Sequence, residues 1–302
     1  MSMDTAMDRE ISFTYSTASQ RAGRRNFIKL VELCSGQKRL KKLYETYVRD
    51  NSRQEDFFDA AIDRLELNVE YDHERLAAVP RTGPVIFIAN HPYGVADGIV
   101  LTWLAKRARP DVKVMANHVL CQAPEAGDNL LPVDFSGNKQ ALLTNIRTRK
   151  QALAALAQGG SVGIFPGGGV AASETPWRGP AVDPTWHTFL AKLVQQGKAT
   201  VVPIYFDGQN SRLFQFASHT SYTLRLALFF RETHRLIGSK MRIAIGDPIG
   251  PDELAKIETR DEIVRYLRKR TYELAKSLPM SKRRKHPAYD REFVYPSRLK
   301  ID

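Results

Sequence analysis

One stretch constrains this chain more than any other: Pro84-Val85-Ile86-Phe87-Ile88-Ala89-Asn90-His91-Pro92-Tyr93-Gly94-Val95-Ala96-Asp97-Gly98. Its apolar run, bounded by Gly83-Pro84 and His91-Pro92, reads as a buried strand, and Ile99 to Ala105 reads as the helix that follows. His91 and Asp97 therefore stand at a strand-to-helix crossover. Open α/β sheets gather ligands at the carboxyl ends of their strands, and an imidazole oriented by a carboxylate takes a proton from a hydroxyl near neutral pH. A separation of six residues is about 600° around an ideal helix, so a turn must bring the two side chains together. Pro92 and Gly94 supply one, the first by fixing φ and the second by allowing conformations other residues avoid. Asp97 then either orients His91 or only caps the helix, and His91 either acts as a base or only hydrogen-bonds its loop.

The same logic extends along the chain. Strands are expected at Pro84 to Ala89, Val112 to Met115, Leu130 to Val133, Ser161 to Phe165, Thr200 to Phe206 and Met241 to Gly246, separated by helix-length intervals or long loops. That spacing predicts an α/β fold with a mostly parallel central sheet covered by helices on both faces. Two or three helices precede it over residues 24 to 70. At the other end Thr259-Arg260-Asp261-Glu262 is a capping box opening a helix whose apolar face carries Ile263, Leu267, Leu274 and Leu278. The organisation read from this is a helical extension over 1–75, a core over 76–250 and a C-terminal helix with a basic tail over 251–302, in one structural domain.

Phe165-Pro166-Gly167-Gly168-Gly169 forms a glycine-rich turn after the strand that begins at Ser161. Such a turn exposes successive backbone N–H groups, which hold a phosphate or a developing oxyanion. The Gly-Lys-Ser/Thr ending of a nucleotide P-loop is missing. Gly159-Gly160-Ser161-Val162-Gly163 matches the nucleophile elbow of hydrolases in letters only. An elbow needs a strand before the serine and a helix after it, whereas here Leu142, Ile146, Leu153 and Leu156 recur at helical spacing before Gly159. Ser161 reads as a strand start. The seven histidines are dispersed, and none pairs with Cys or Glu at ligand spacing, so no metal is expected. Two cysteines, Cys34 and Cys121, make no disulfide framework and fit a reducing compartment.

Asn90-His91-Pro92 through Asp97-Gly98 resembles the signature block of the glycerolipid acyltransferase superfamily, the relatives of lysophosphatidic acid acyltransferases. Five residues separate His91 from Asp97, where the family usually has four. That interval is similar to a bacterial hemolysin-like or ornithine-lipid-type branch, in which His-Pro-x-Gly-x-x-Asp-Gly is the usual form. Three further blocks follow in the family's order: Leu131-Pro132-Val133-Asp134-Phe135-Ser136-Gly137-Asn138-Lys139, then Gly163-Ile164-Phe165-Pro166-Gly167-Gly168-Gly169, then Val201-Val202-Pro203-Ile204-Tyr205-Phe206. The resemblance runs from about residue 84 to about 250.

It implies an enzyme that moves a fatty acyl group from an acyl thioester, carried by acyl carrier protein or coenzyme A, to the hydroxyl of a lysolipid. His91 would be the general base and Asp97 its orienter, with the thioester as co-substrate and no other cofactor. Asn90, Gly94, Asn138, Lys139, Phe165, Pro166, Gly167, Gly168, Gly169, Asn210 and Arg212 are the expected substrate contacts. Two departures shift the acceptor. Gly167 stands where many relatives have glutamate, and Asn138-Lys139 where they have arginine, which disfavours a glycerol phosphate acceptor and favours a lysolipid with another head group.

The formal net charge of +12 asks for an acidic partner. Basic residues cluster at Arg21, Arg24, Arg25 and Lys29; at Lys38, Arg39, Lys41 and Lys42; at Arg265, Arg268, Lys269 and Arg270; and at Lys282, Arg283, Arg284 and Lys285. Near an anionic leaflet each contributes roughly 1 kcal/mol. Apolar stripes at Phe27, Leu30, Val31 and Cys34, and at Leu40, Leu43, Tyr44 and Tyr47, lie beside them as on an interfacial helix, unless they pack on the core. With no signal peptide and no spanning segment, the expected location is cytoplasmic, on the inner face of the cytoplasmic membrane. Nucleic acid is disfavoured, because no aromatics interleave the basic runs. The long segment from Ala172 to His187 either flanks an acyl groove with Trp186 as its wall or is anchored by its tryptophans. Rival readings are N-acylation of an amine head group and a binding module without chemistry, indifferent to His91 and weakened by salt.

Overall fold

All five positions of Val85–Ala89 are buried, because this strand lies inside a seven-stranded sheet with helices on either side. The computed structural model describes residues 22–23, 25–26, 28–29, 36–50, 55–117, 120–279 and 289–296. In chain order its elements are α1 (Gln37–Arg49), α2 (Phe57–Arg64), β1 (Asn68–Glu70), α3 (His73–Ala77), β2 (Val85–Ala89), α4 (Val95–Ala108), β3 (Lys113–Asn117), β4 (Leu130–Val133), α5 (Lys139–Ala157) and β5 (Ser161–Ile164). Then come β6 (Ala172–Ser173), β7 (Ala181–Val182), α6 (Phe189–Gly197), β8 (Thr200–Phe206), α7 (Arg212–Thr220), α8 (Tyr222–Ala227), α9 (Phe229–Arg235), β9 (Lys240–Ile245), α10 (Pro251–Leu254) and α11 (Arg260–Glu273).

The sheet order is β1-β9-β8-β2-β5-β3-β4, parallel throughout except for the antiparallel pair β8–β9. Strand side chains alternate between faces, so β2 feeds two cores. Val85, Phe87 and Ala89 pack with Phe58 and Ile62 of α2 and Leu101 and Leu104 of α4. Ile86 and Ile88 pack with Leu156 of α5, Leu190 and Leu193 of α6 and Leu267 of α11. Placing β2 between β5 and β8 brings the loops after these three parallel strands to one edge of the sheet.

All six expected strands form, and the α/β reading holds. Two elements differ. β1 pairs with β9 although its segment read as helical extension, because three residues are too few to show an alternating pattern. The hairpin β6–β7 crosses the segment after the glycine-rich turn. Leu40, Leu43 and Tyr44 of α1 pack against the core and Tyr47 is buried, so this stripe faces protein rather than a bilayer. The stripe at Phe27 to Cys34 and the basic run Lys282 to Lys285 lie outside the described residues. Among the described residues no helix is long and apolar enough to cross a membrane.

Gly163 shows how tightly the sheet is packed. A β-carbon there would stand 2.7 Å from Val114 Cγ2 on the neighbouring strand. Gly163→Ala is expected to lower stability by about 1–3 kcal/mol through overpacking. Urea denaturation checks this, and the Gly163→Ala/Val114→Ala double variant should lose less than the sum of the two single losses.

Candidate active site

The backbone turns sharply after β2 because Gly94 takes φ 86° and ψ −117°, a conformation closed to side-chain-bearing residues. A β-carbon at Gly94 would also stand 3.0 Å from the Phe229 ring. Gly94 is the N-cap of α4, so Asp97 is the third residue of the helix and not its cap. From there its carboxylate reaches back: Oδ2 accepts the N–H of Tyr93 at 2.7 Å and of Gly94 at 2.9 Å, and lies 3.0 Å from His91 Nδ1. The position in the first turn puts this charge at the positive end of the helix.

Asp97 is wholly buried, whereas the His91 side chain stays 17% exposed. With the Nδ1 proton donated to Asp97, Nε2 is the nitrogen left to accept a proton. The imidazole stacks on Phe165, ring centroids 4.1 Å apart, so the ring plane as well as the hydrogen bond is fixed. Asp97 Oδ1 is buried with no hydrogen-bond partner among the described residues.

His91 is held equally firmly through its backbone. Its N–H donates to Asp183 Oδ1 at 3.0 Å, and its C=O accepts the Ala171 N–H at 2.7 Å. Asp183 Oδ2 accepts the Trp186 indole N–H at 2.9 Å. Burial pushes the Asp183 carboxyl up, while the Arg268 charge and these two donors pull it back. Arg268, itself buried, donates to the carbonyls of Asp183, Pro184, Tyr289 and Arg291. Phe293 donates its N–H to the Asp183 carbonyl at 3.0 Å. A strap over residues 289–296 is thereby tied beneath the His91 loop.

The glycine-rich turn is bracketed by the same groups. The Gly168 N–H closes onto Phe165 C=O at 3.0 Å, and the His187 N–H onto Pro166 C=O at 3.0 Å. The N–H groups of Gly167 and Gly169 have no hydrogen-bond partner among the described residues. A β-carbon on Gly167 would stand 3.3 Å from Asp183 Cβ, and one on Gly169 2.7 Å from the Tyr295 hydroxyl, so a side chain at either would press on its neighbour. Buried Arg225 fixes the far end of the turn, donating to Val170 C=O at 2.5 Å and to the Tyr295 hydroxyl at 3.0 Å.

The structure thus joins His91, Gly94, Asp97, Phe165, Pro166, Gly167, Gly168 and Gly169 in one place. Asn90 plays another part than the expected substrate contact: its amide donates to Phe206 C=O at 3.0 Å and accepts the Phe206 N–H at 2.7 Å, pinning the end of β2 to the end of β8. Asn138 is the N-cap of α5, its Oδ1 accepting the Ala141 N–H at 2.8 Å, with exposed Lys139 after it. Asn210 is buried, and neither amide atom has a partner among the described residues. Arg212 donates to Gly179 C=O at 3.2 Å. Trp186 is 3% exposed and anchors the loop to Asp183, so it is no groove wall. Ser161 begins β5, as its sequence context indicates. Among the described residues no three His, Cys, Asp or Glu side chains cluster as metal ligands.

Asp183 was not singled out in the sequence, and Arg268, expected in a basic cluster facing an acidic partner, is instead buried and spent on backbone carbonyls. The signal for Arg268 was its spacing: it lies four residues after Val264 and four before Tyr272, on the buried face of α11. Asp183→Ala would leave the His91 and Trp186 N–H donors unsatisfied. We expect a stability loss of about 2–5 kcal/mol from the two orphaned donors, measured by thermal melting. A 1 Å drift of His91 would add a fall in activity of about 10².

A histidine–carboxylate pair at the carboxyl edge of a mostly parallel sheet, with open backbone N–H groups beside it, offers a proton acceptor and donors for a developing oxyanion, both of which acyl transfer can use. The comparisons agree. A family model described as Acyltransferase matches residues 42–281. The chain belongs to this acyltransferase family, within the glycerolipid acyltransferase superfamily. A lyso-glycine lipid O-acyltransferase of Phocaeicola vulgatus is 24% identical over 227 residues, covering 72% of this chain and 77% of the relative. One of Bacteroides thetaiotaomicron is 25% identical over 231 residues, covering 72% and 79%. The crystal structure of the 1-acyl-sn-glycerophosphate (LPA) acyltransferase PlsC from Thermotoga maritima has a TM-score of 0.51 at 15% identity. It covers 86% of this chain and all of that one, a likeness of fold.

Proposed function

We propose that this acyltransferase transfers a fatty acyl group from an acyl thioester, on acyl carrier protein or coenzyme A, to the hydroxyl of a lysolipid. The observation that carries this reading is the His91–Asp97 pair, 3.0 Å apart, with the imidazole partly open to solvent. His91 Nε2 takes the proton of the acceptor hydroxyl as its oxygen attacks the thioester carbonyl. The N–H groups of Gly167 and Gly169 receive the negative charge that grows on the carbonyl oxygen. Collapse breaks the C–S bond, and the proton held on His91 passes to the leaving thiolate. The free acyl ester and thiol are the products, and no covalent enzyme intermediate intervenes. Asp97 fixes the tautomer and stabilises the imidazolium that forms between the two proton transfers.

The acceptor is read as a lysolipid whose head group is not a bare glycerol phosphate. The two relatives named for lyso-glycine lipids support this, and their being O-acyltransferases favours a hydroxyl over an amine. Asn210, buried with an unpaired amide, is our choice for a polar contact to the head group. An apolar cavity of about 130 Å³ beside α4, lined by Leu40, Leu43, Tyr47, Ala61 and Ile99 among others, supports a fatty-acyl substrate. We place the enzyme peripherally on the inner face of the cytoplasmic membrane.

The test is mass spectrometry of lipids formed from acyl carrier protein and coenzyme A thioesters with mixed lysolipids. Wild-type protein is expected to make a diacylated product. His91→Ala should fall by about 10² to 10⁴ in rate while melting normally. A His91→Ala protein that retains full activity refutes the mechanism.

A further inference from the structure

Helix α5 is built the wrong way round for a helix that meets only water on its outer side. Its buried residues are Ala141, Thr148, Ala152 and Leu156, mostly small. Its large apolar residues at the N-terminal end point outward: Leu142 is 60% exposed, Leu143 49% and Ile146 40%. Leu142 and Ile146 share the helical spacing of Leu153 and Leu156, and the structure turns the first two to the surface. Residues three and four apart are neighbours on a helix, so Leu142 and Leu143 both adjoin Ile146, while Arg147 and Lys150 continue the same strip. Both cations are exposed, and Lys139 stands at the head of the helix. Its sequence, KQALLTNIRTRKQALAALA, contains four basic residues and no acidic one.

The segment just before α5 reaches the glycine-rich turn. Phe135, 43% exposed just before α5, packs by its ring edge 3.8 Å from where a Gly168 β-carbon would be. Gly168 belongs to the turn that Phe165 and Ala171 tie to His91. Contiguous exposed apolar surface rimmed by charge marks an interaction site, and aliphatic side chains flanked by cations are the makeup of an interfacial membrane helix.

We propose that the outer face of α5, with Phe135, docks the enzyme on an anionic lipid bilayer. Leu142, Leu143 and Ile146 enter the acyl boundary, and Arg147 and Lys150 pair with lipid phosphates. The mouth of the site then faces the leaflet from which a lysolipid would arrive, a step that rests on the function proposed above. Charge complementarity chooses the bilayer: the strip is cationic, the chain carries +12, and α1, the other amphipathic candidate, spends its apolar stripe on the core.

Full-length protein is sedimented with vesicles of phosphatidylcholine alone or with phosphatidylglycerol added. Wild type should bind the anionic vesicles, and the Leu142→Ser/Leu143→Ser/Ile146→Ser variant should bind at least tenfold more weakly with an unchanged melting curve. Arg147→Glu/Lys150→Glu should abolish the preference for phosphatidylglycerol. With acyltransfer as readout, the triple variant should match wild type on a short-chain lysolipid below its micelle concentration and fall on lysolipid embedded in vesicles. The vesicle arm needs no turnover, so it stands or falls apart from the assigned reaction. Wild type that ignores anionic vesicles, or a triple variant that binds them as well as wild type, overturns the proposal. So does a patch whose loss weakens only acyl carrier protein binding or self-association.

Discussion

A single buried oxygen, Asp97 Oδ2, organises the site. Three groups converge on it from a stretch of four residues: the His91 imidazole and the N–H groups of Tyr93 and Gly94. A wholly buried carboxylate is costly unless it is donated to, and here Oδ2 alone meets all three groups, from the same turn that the carboxylate shapes, while Oδ1 has no partner among the described residues. The geometry demands that the chain reverse within Pro92-Tyr93-Gly94 and that the helix begin at once. It also demands a glycine where it bends, with Val170 and Phe229 packed against the bare Cα. Removing any of these conditions separates the imidazole from its partner.

That local knot holds its place only because the sheet surrounds it. β2 lies between β5 and β8, so the loops leaving their carboxyl ends share one edge. Asn90 staples two of those ends together through Phe206. From the other side Asp183 binds the His91 N–H while Arg268 gathers four carbonyls around Asp183 and the strap. Asp183 and Arg268, both buried, thus hold the same few residues, the first by accepting two N–H groups and the second by donating to four carbonyls. Removing either leaves buried polar groups without partners, which makes the loop geometry hard to vary.

Much of this was legible in the sequence, for a physical reason. A strand buried on both faces has to be apolar at successive positions, so Val85 to Ala89 and Thr200 to Phe206 announce themselves. The dyad was readable because its two members and the turn between them are contiguous. Asp97's true place at the third helix position was less so, since an N-cap and a residue reaching back to one differ by only a few positions. Long-range partners left weaker traces. Nothing near Asp183 marks it as the acceptor for a histidine 92 residues earlier. Asn90 read as a substrate contact because its tie to Phe206 spans 116 residues. Leu142 and Ile146 fitted a helical stripe, and periodicity alone does not say which side of a helix meets the sheet.

The strap at 289–296 lets a distant segment set the histidine's position. His91 and Asp97 meet within a few residues of chain, yet the brace beneath them is closed by the strap, where the Phe293 N–H donates to the Asp183 carbonyl and Arg268 donates to the Arg291 carbonyl. A change in the strap therefore loosens the backbone under the imidazole while leaving every residue of the turn intact.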